Sequence, residues 1–116
     1  MQIRKTYKDV NPELLYNEIK DFAIKHGVSV GENKMETYSQ AADSSSFITR
    51  GTLTLTVAEA ASKAEKECCR VHVVGSARGE TKLILDVDER LFPVDKVAAL
   101  QSDVDFIFSG YEVRPS

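Results

Sequence analysis

Tryptophan is absent from this 116-residue chain, and its only two cysteines stand side by side. The first absence leaves Val, Leu, Ile, Phe and Tyr to make a core. The second excludes a disulfide framework. Neighbouring Cα atoms across a trans peptide lie about 3.8 Å apart, below the disulfide window. Cys68 and Cys69 are therefore expected as free thiols, which suits a reducing compartment. No apolar run approaches the roughly 20 residues of a membrane-spanning helix. The opening MQIRKTYKDV has no apolar stretch of the kind a secretion signal carries. The expectation is a cytoplasmic protein without a membrane span. An excess of positive charge is missing too. A net charge of −3 and a pI of about 5.4 argue against a protein that chiefly grips phosphates, so nucleic acid is not an expected partner. The one basic cluster, Arg4, Lys5 and Lys8, reads as a charged strand end. There is no internal repeat, glycine-rich phosphate loop or metal-spaced motif, and no cofactor is implied.

What remains is ordinary for a globular domain: 42% apolar and 28% charged residues, in a length that fits one domain over residues 1–116. Residues 2–8 read as a first strand, with Ile3 inward and Tyr7 a second candidate. Asn11-Pro12 announces a helix: Asn caps well, and Pro suits a first turn whose N–H groups have no partner. Leu15, Ile19, Phe22 and His26 recur at helical spacing, and Gly27 is the stop. A weakly patterned strand is expected over 34–39. AADSSS (41–46) reads as a loop. In SFITRGTLTLTV, Phe47, Leu53, Leu55 and Val57 share one parity, and Arg50, Thr52, Thr54 and Thr56 the other, as in a strand with one wet face. Residues 58–67 have helical composition without an apolar stripe and are read as an exposed connection. The last element opens at Pro93. Val94, Val97, Leu100, Val104, Ile107, Phe108 and Tyr111 form its apolar stripe, and Gly110 marks its end.

VHVV and KLILDV flank SARGE and read as a hairpin. Gly79 takes the left-handed position of a three-residue loop. Ser76 then faces Glu80, Val73 faces Leu83, Val71 faces Leu85 and Cys69 faces Val87, while Arg70 meets Asp86 on the other face. A two-residue loop would set apolar residues against the wrong parity. Like charges further along suggest that the ladder ends near Cys68 and Asp88.

The order is β-α-β-β-β-β-α. It predicts an α+β two-layer sandwich, an antiparallel sheet with both helices on one face. In element order alone it resembles the helix-grip arrangement of START-like and TATA-binding-protein-like domains. Such a likeness carries no function by itself.

ECCRVHVV (67–74) holds both cysteines and one histidine, which raises the idea of a reactive site. Alternation sends Cys69, Val71 and Val73 inward and Cys68, Arg70, His72 and Val74 outward. Cys68 and His72 then lie roughly 13 Å apart, too far to share a metal ion or a proton. Arg70, His72, Asp86 and Asp88 make a better constellation on neighbouring strands, since a His beside a carboxylate can act as a base. A register slipped by two residues would set His72 against Asp86. The plainer reading is a ladder of surface ion pairs. Thr54 lies in a threonine row on the same polar face.

Three functional expectations follow. The leading one is a non-catalytic binding or protein-interaction module that uses Arg70, His72, Asp86 and Thr54. It assembles through a sheet edge or face, most simply as a homodimer. The second is a small apolar-ligand binder with a pocket between the C-terminal helix and the sheet, lined by Phe92, Phe108 and Tyr111. The third is an enzyme using the His72–Asp86 face; no catalytic set is complete enough to favour it.

Overall fold

The computed structural model describes residues 1–40, 43–58, 63–76 and 79–113. Strands β1 (Gln2–Lys8), β2 (Ser29–Gln40), β3 (Asp43–Ala58), β4 (Glu65–Ser76) and β5 (Glu80–Val87) form one antiparallel sheet in the order β1-β5-β4-β3-β2. Helices α1 (Pro12–Lys25) and α2 (Val94–Phe108) pack on one face, and a single 3-10 turn, Ser109–Tyr111, follows α2. The molecule is the α+β sandwich that the element order implies. The β1-α1-β2 connection carries the chain across the whole sheet, so the first two strands become its two edges.

Local chemistry explains α1. Asn11 Oδ1 accepts the Glu13 N–H at 2.8 Å, and Pro12 occupies the first position. Leu15, Ile19, Phe22 and Ala23 are buried as their spacing requires, each large side chain contributing ~1.5–3 kcal/mol. His26 ends the helix and stacks on Phe22, with ring centroids 4.1 Å apart. Gly27, at φ +71°, turns the chain out of the helix. Two strand glycines let α1 sit close. A Cβ at Gly75 would come within 2.5 Å of Pro12 Cγ, and one at Gly51 within 2.8 Å of Tyr16 Cδ2.

α2 starts one residue after Pro93, which serves as its N-cap. Val97, Leu100, Val104 and Phe108 face inward, whereas Val94, Ile107 and Tyr111, expected on the same stripe, are exposed. Val94 and Ile107 lie at the flanks of the apolar arc, and one helix resting on the sheet beside α1 buries only the middle of it. Tyr111 falls beyond α2, in the 3-10 turn, where the helical stripe no longer holds.

The β2–β3–β4 hairpins run further than their composition suggests. Asp43 already pairs with Gln40, so the expected loop over 41–46 is strand from Asp43 onward, and residues 41–42 lie outside the described residues. Ala58 pairs with Glu65, so 65–67 belong to β4 rather than to an exposed connection. Residues 59–62 of that expectation are outside the described set. Polar residues are tolerated here because the hairpin ends extend past the helices, where water serves both faces.

The β4–β5 register is the one the apolar pairs demanded: Cys69 opposite Val87, Val71 opposite Leu85, Val73 opposite Leu83 and Arg70 opposite Asp86. Gly79 has φ +82° and donates its N–H to Ser76 O at 3.1 Å. Arg78, expected at the tip, lies outside the described residues. The ladder closes where Asp88 N–H meets Cys68 O at 2.9 Å.

Candidate functional site

The inner face of the sheet is sealed. Tyr7, Leu53, Leu55, Val71, Val73, Leu83 and Leu85 form one core with Leu15, Ile19, Phe92, Val97, Leu100 and Val104. Phe92 is wholly buried in that core and Phe108 nearly so, its ring edge-on to Tyr7 at 6.1 Å. Tyr111 is half exposed at the end of α2. The three residues singled out for a ligand pocket are therefore divided between core and surface. The grooves formed by the described residues that bear on function lie at the sheet ends instead.

One such groove, of about 580 Å³, opens at the end of β4 and β5 between Gln2, Glu67, Cys68, Asp86 and Asp88. The amino group of Met1 closes its margin, donating to Val87 O at 3.0 Å and lying 3.4 Å from Glu89 Oε1. Its walls are acidic, yet among the described residues no three His, Cys, Asp or Glu side chains converge as a metal site. Arg90 beside Asp88 holds that carboxyl below its usual range.

Cys68 sits on the groove floor, and here strict alternation fails. Leu55 faces Cys69 while Thr56 faces Glu67, which leaves Cys68 as the extra residue of a β-bulge. Both cysteines consequently turn inward, and each is 1% exposed. Cys68 was expected outside. Its thiol instead donates to Leu55 O at 3.3 Å. Burial pushes the Cys68 thiol up to about 11 and that of Cys69 up to about 12, so neither is a thiolate at neutral pH. A visible signal existed: two consecutive apolar residues precede a cleanly alternating run, which is how a bulge reads in sequence.

The second groove, of about 420 Å³, lies between Pro12, Phe47, Thr49 and Gly75. Asp9 and Glu13 stand at its rim and oppose an anion at the start of α1.

The outer face of the sheet is uncovered. Register places Arg4, Ile84, His72, Thr52 and Lys34 in one row across the five strands, and Thr6, Lys82, Val74, Arg50 and Glu36 in the next. His72, Val74 and Ile84 are half-buried by these neighbours, whereas Arg4, Lys82, Arg50 and Lys34 are exposed. His72 faces Ile84 and Thr52, so the register that would set it against Asp86 is not the one adopted. Asp86 faces Arg70 but accepts from Gln2 Nε2 at 2.8 Å, while the Arg70 guanidinium turns to Glu67, Nη2 to Oε1 2.9 Å. Thr54 is buried, and its hydroxyl is occupied: the Glu32 N–H donates to it at 2.6 Å across the bulge in β2. Arg70, His72 and Asp86 thus share the open face without forming a proton-transfer pair, and Thr54 belongs to the fold of the β2 edge.

A further pair escaped the sequence reading. Glu18 on α1 meets Asp103 on α2, where the contact between carboxyls raises the Glu18 pKa, with burial adding to the effect. One carboxyl oxygen of Asp103, Oδ2, is buried without a hydrogen-bond partner, so a protonated Glu18 is suited to supply one.

No protein-family model, curated protein or solved structure matches the chain. Within the described residues no helix is long and apolar enough to cross a membrane.

Proposed function

We propose that the protein is a non-catalytic interaction module whose outer sheet face receives an acidic, extended segment of a partner protein. One observation carries the reading. The strip of His72, Val74 and Ile84 is half-buried at the centre of an uncovered sheet face, with Arg4, Lys82, Arg50 and Lys34 around it, on a chain whose net charge is −3. An apolar centre with a charged rim is the layout of a protein interface. Lys34 and Lys82 are paired with Glu36 and Glu80 on the same face, so Arg4 and Arg50 are the rim cations that would meet an acidic partner. The absence of a carboxylate opposite His72 and the protonated state of both thiols favour binding over catalysis. Free, buried thiols suit action in the cytoplasm.

The test is a nuclear magnetic resonance titration of the labelled chain with an extended peptide of alternating Glu and Val. Amide shifts should cluster at residues 50, 72–74 and 82–84, weaken with salt, and vanish in Ile84→Asp, whose fold circular dichroism would verify. Shifts confined to the helices, or undiminished binding by Ile84→Asp, would overturn the reading.

A further inference from the structure

The sheet has two edges, and they are treated differently. Along β1 the chain covers its own edge: Val113 N–H donates to Thr6 O at 2.7 Å, and Glu112 bridges to Tyr7. Along β2 no described segment pairs with the outer edge. Between its two irregularities, one at 30–33 and one at 39–40, β2 runs regularly from Asn33 to Ser39 without a proline. That is about 24 Å of strand at ~3.4 Å per residue. Such an edge presents unpaired N–H and C=O groups and is a template for another strand.

We propose that two copies of this chain pair through β2, antiparallel about a two-fold axis at Met35, so that the two five-stranded sheets become one. The choice of axis follows from the pleat. Residues facing each other across an antiparallel pair point to the same side, so a two-fold axis must pass through a residue position and not between two. An axis at Lys34 sets that lysine against its own copy, and one at Glu36 does the same for glutamate; both are repulsive. An axis at Thr37 leaves Lys34 and Glu36 without each other. At Met35, Lys34 faces Glu36 of the second copy and Glu36 faces its Lys34, while Met35 meets Met35 and Asn33 meets Thr37. Both charges point to the outer face and pair within one chain at 2.9 Å, Lys34 exposed and Glu36 partly so, with the Tyr38 hydroxyl also donating to Glu36. The dimer turns them into two direct cross-strand pairs. It also carries Tyr38, half exposed in one chain, over the irregularity at Gly31 and Glu32 of the other. The pairing does not depend on what the outer sheet face binds: Ile84→Asp should leave it intact.

Sedimentation of the full chain from micromolar to millimolar concentration tests the proposal. A concentration-dependent dimer is expected. Glu36→Lys or Lys34→Glu alone should weaken it by about tenfold or more, because two like-charge contacts replace two opposite ones. The double exchange Lys34→Glu with Glu36→Lys should restore it. Met35→Cys reads the register directly. Cα atoms facing across an antiparallel pair lie about 4.5–5.5 Å apart, within disulfide reach. Oxidation should therefore give a covalent dimer at Met35→Cys and much less at Thr37→Cys. A wild-type monomer at millimolar concentration overturns the proposal. So does a dimer indifferent to the charge exchange, or preferential cross-linking at Thr37→Cys.

Discussion

Glu67 and Arg70 lie three residues apart on β4, yet both point to the outer face and meet at 2.9 Å. Simple alternation would put them on opposite sides. The bulged Cys68 between them adds the extra step, and the same step turns its own thiol inward. One backbone irregularity therefore dissolves the apparent Cys–His cluster of ECCRVHVV and redirects Arg70 from Asp86 to Glu67.

The thiols give the first prediction. With values raised to about 11 and 12 by burial, Cys68 and Cys69 should react with iodoacetamide at pH 8 far more slowly than a free cysteine, whose value is about 8.5. Both should become reactive in urea, in step with unfolding followed by circular dichroism. Rapid native labelling of Cys68 alone would show that the groove reaches its sulfur.

A glycine series separates close approach from backbone freedom. Gly75→Ala drives a Cβ into the Pro12 ring and should cost ~1–3 kcal/mol in urea denaturation. Gly110→Ala meets nothing within 4 Å and should be near neutral. Gly27→Ala is equally unobstructed but sits at φ +71°, so its cost of about 1 kcal/mol should come from conformation alone. Equal effects at 75 and 110 would mean that α1 does not rest on β4.

A buried hydroxyl ties the start of α1 to the sheet. Thr81 is 1% exposed and donates to Val10 O at 2.6 Å. Thr81→Val keeps the shape and strands that carbonyl, so a loss of ~1–3 kcal/mol is expected. Thr81→Ser keeps the donor and should retain most of the stability, which separates the hydrogen bond from packing in the same urea experiment.

The parts of the fold that were legible in the sequence are those set by short-range chemistry. The Asn11-Pro12 cap, the α1 stripe and the β4–β5 register each rest on residues whose neighbours lie within one element or one hairpin. Legibility ended where a distant partner decides. Asp43 and Glu65 are strand residues only because Gln40 and Ala58 hold them. Ile107 shares an apolar stripe with Val104, but α2 has room against the sheet for its centre alone, and Tyr111 lies past the end of α2. On the outer face, parity read the sides of Arg70, His72 and Asp86 correctly. It did not show that the Thr54 hydroxyl is taken by Glu32 N–H, although Gly31, where a Cβ would lie 2.7 Å from Thr54 Oγ1, marks the irregularity that brings them together.

The Glu18–Asp103 contact predicts a pH effect of definite sign. The pair joins α1 to α2, with Asp21 adding to the upward shift of Glu18 and Lys25 opposing it. A carboxyl raised in the folded state binds more protons there than in the unfolded chain, so its stabilising contribution is complete below the unfolded value of 4.5. That contribution is lost as pH rises through the folded value. Glu18→Gln supplies a permanent donor to Asp103 without charge. Its melting temperature should exceed that of the wild type by a few degrees at pH 7, and the difference should shrink as pH falls toward 4.5. Surface carboxylates held low by neighbouring groups, such as Glu36 and Asp88, impose the opposite slope on both proteins. The difference between the two melting curves, not either curve alone, therefore isolates the pair. A gap independent of pH would assign the effect of Glu18→Gln to helix propensity rather than to the shared proton.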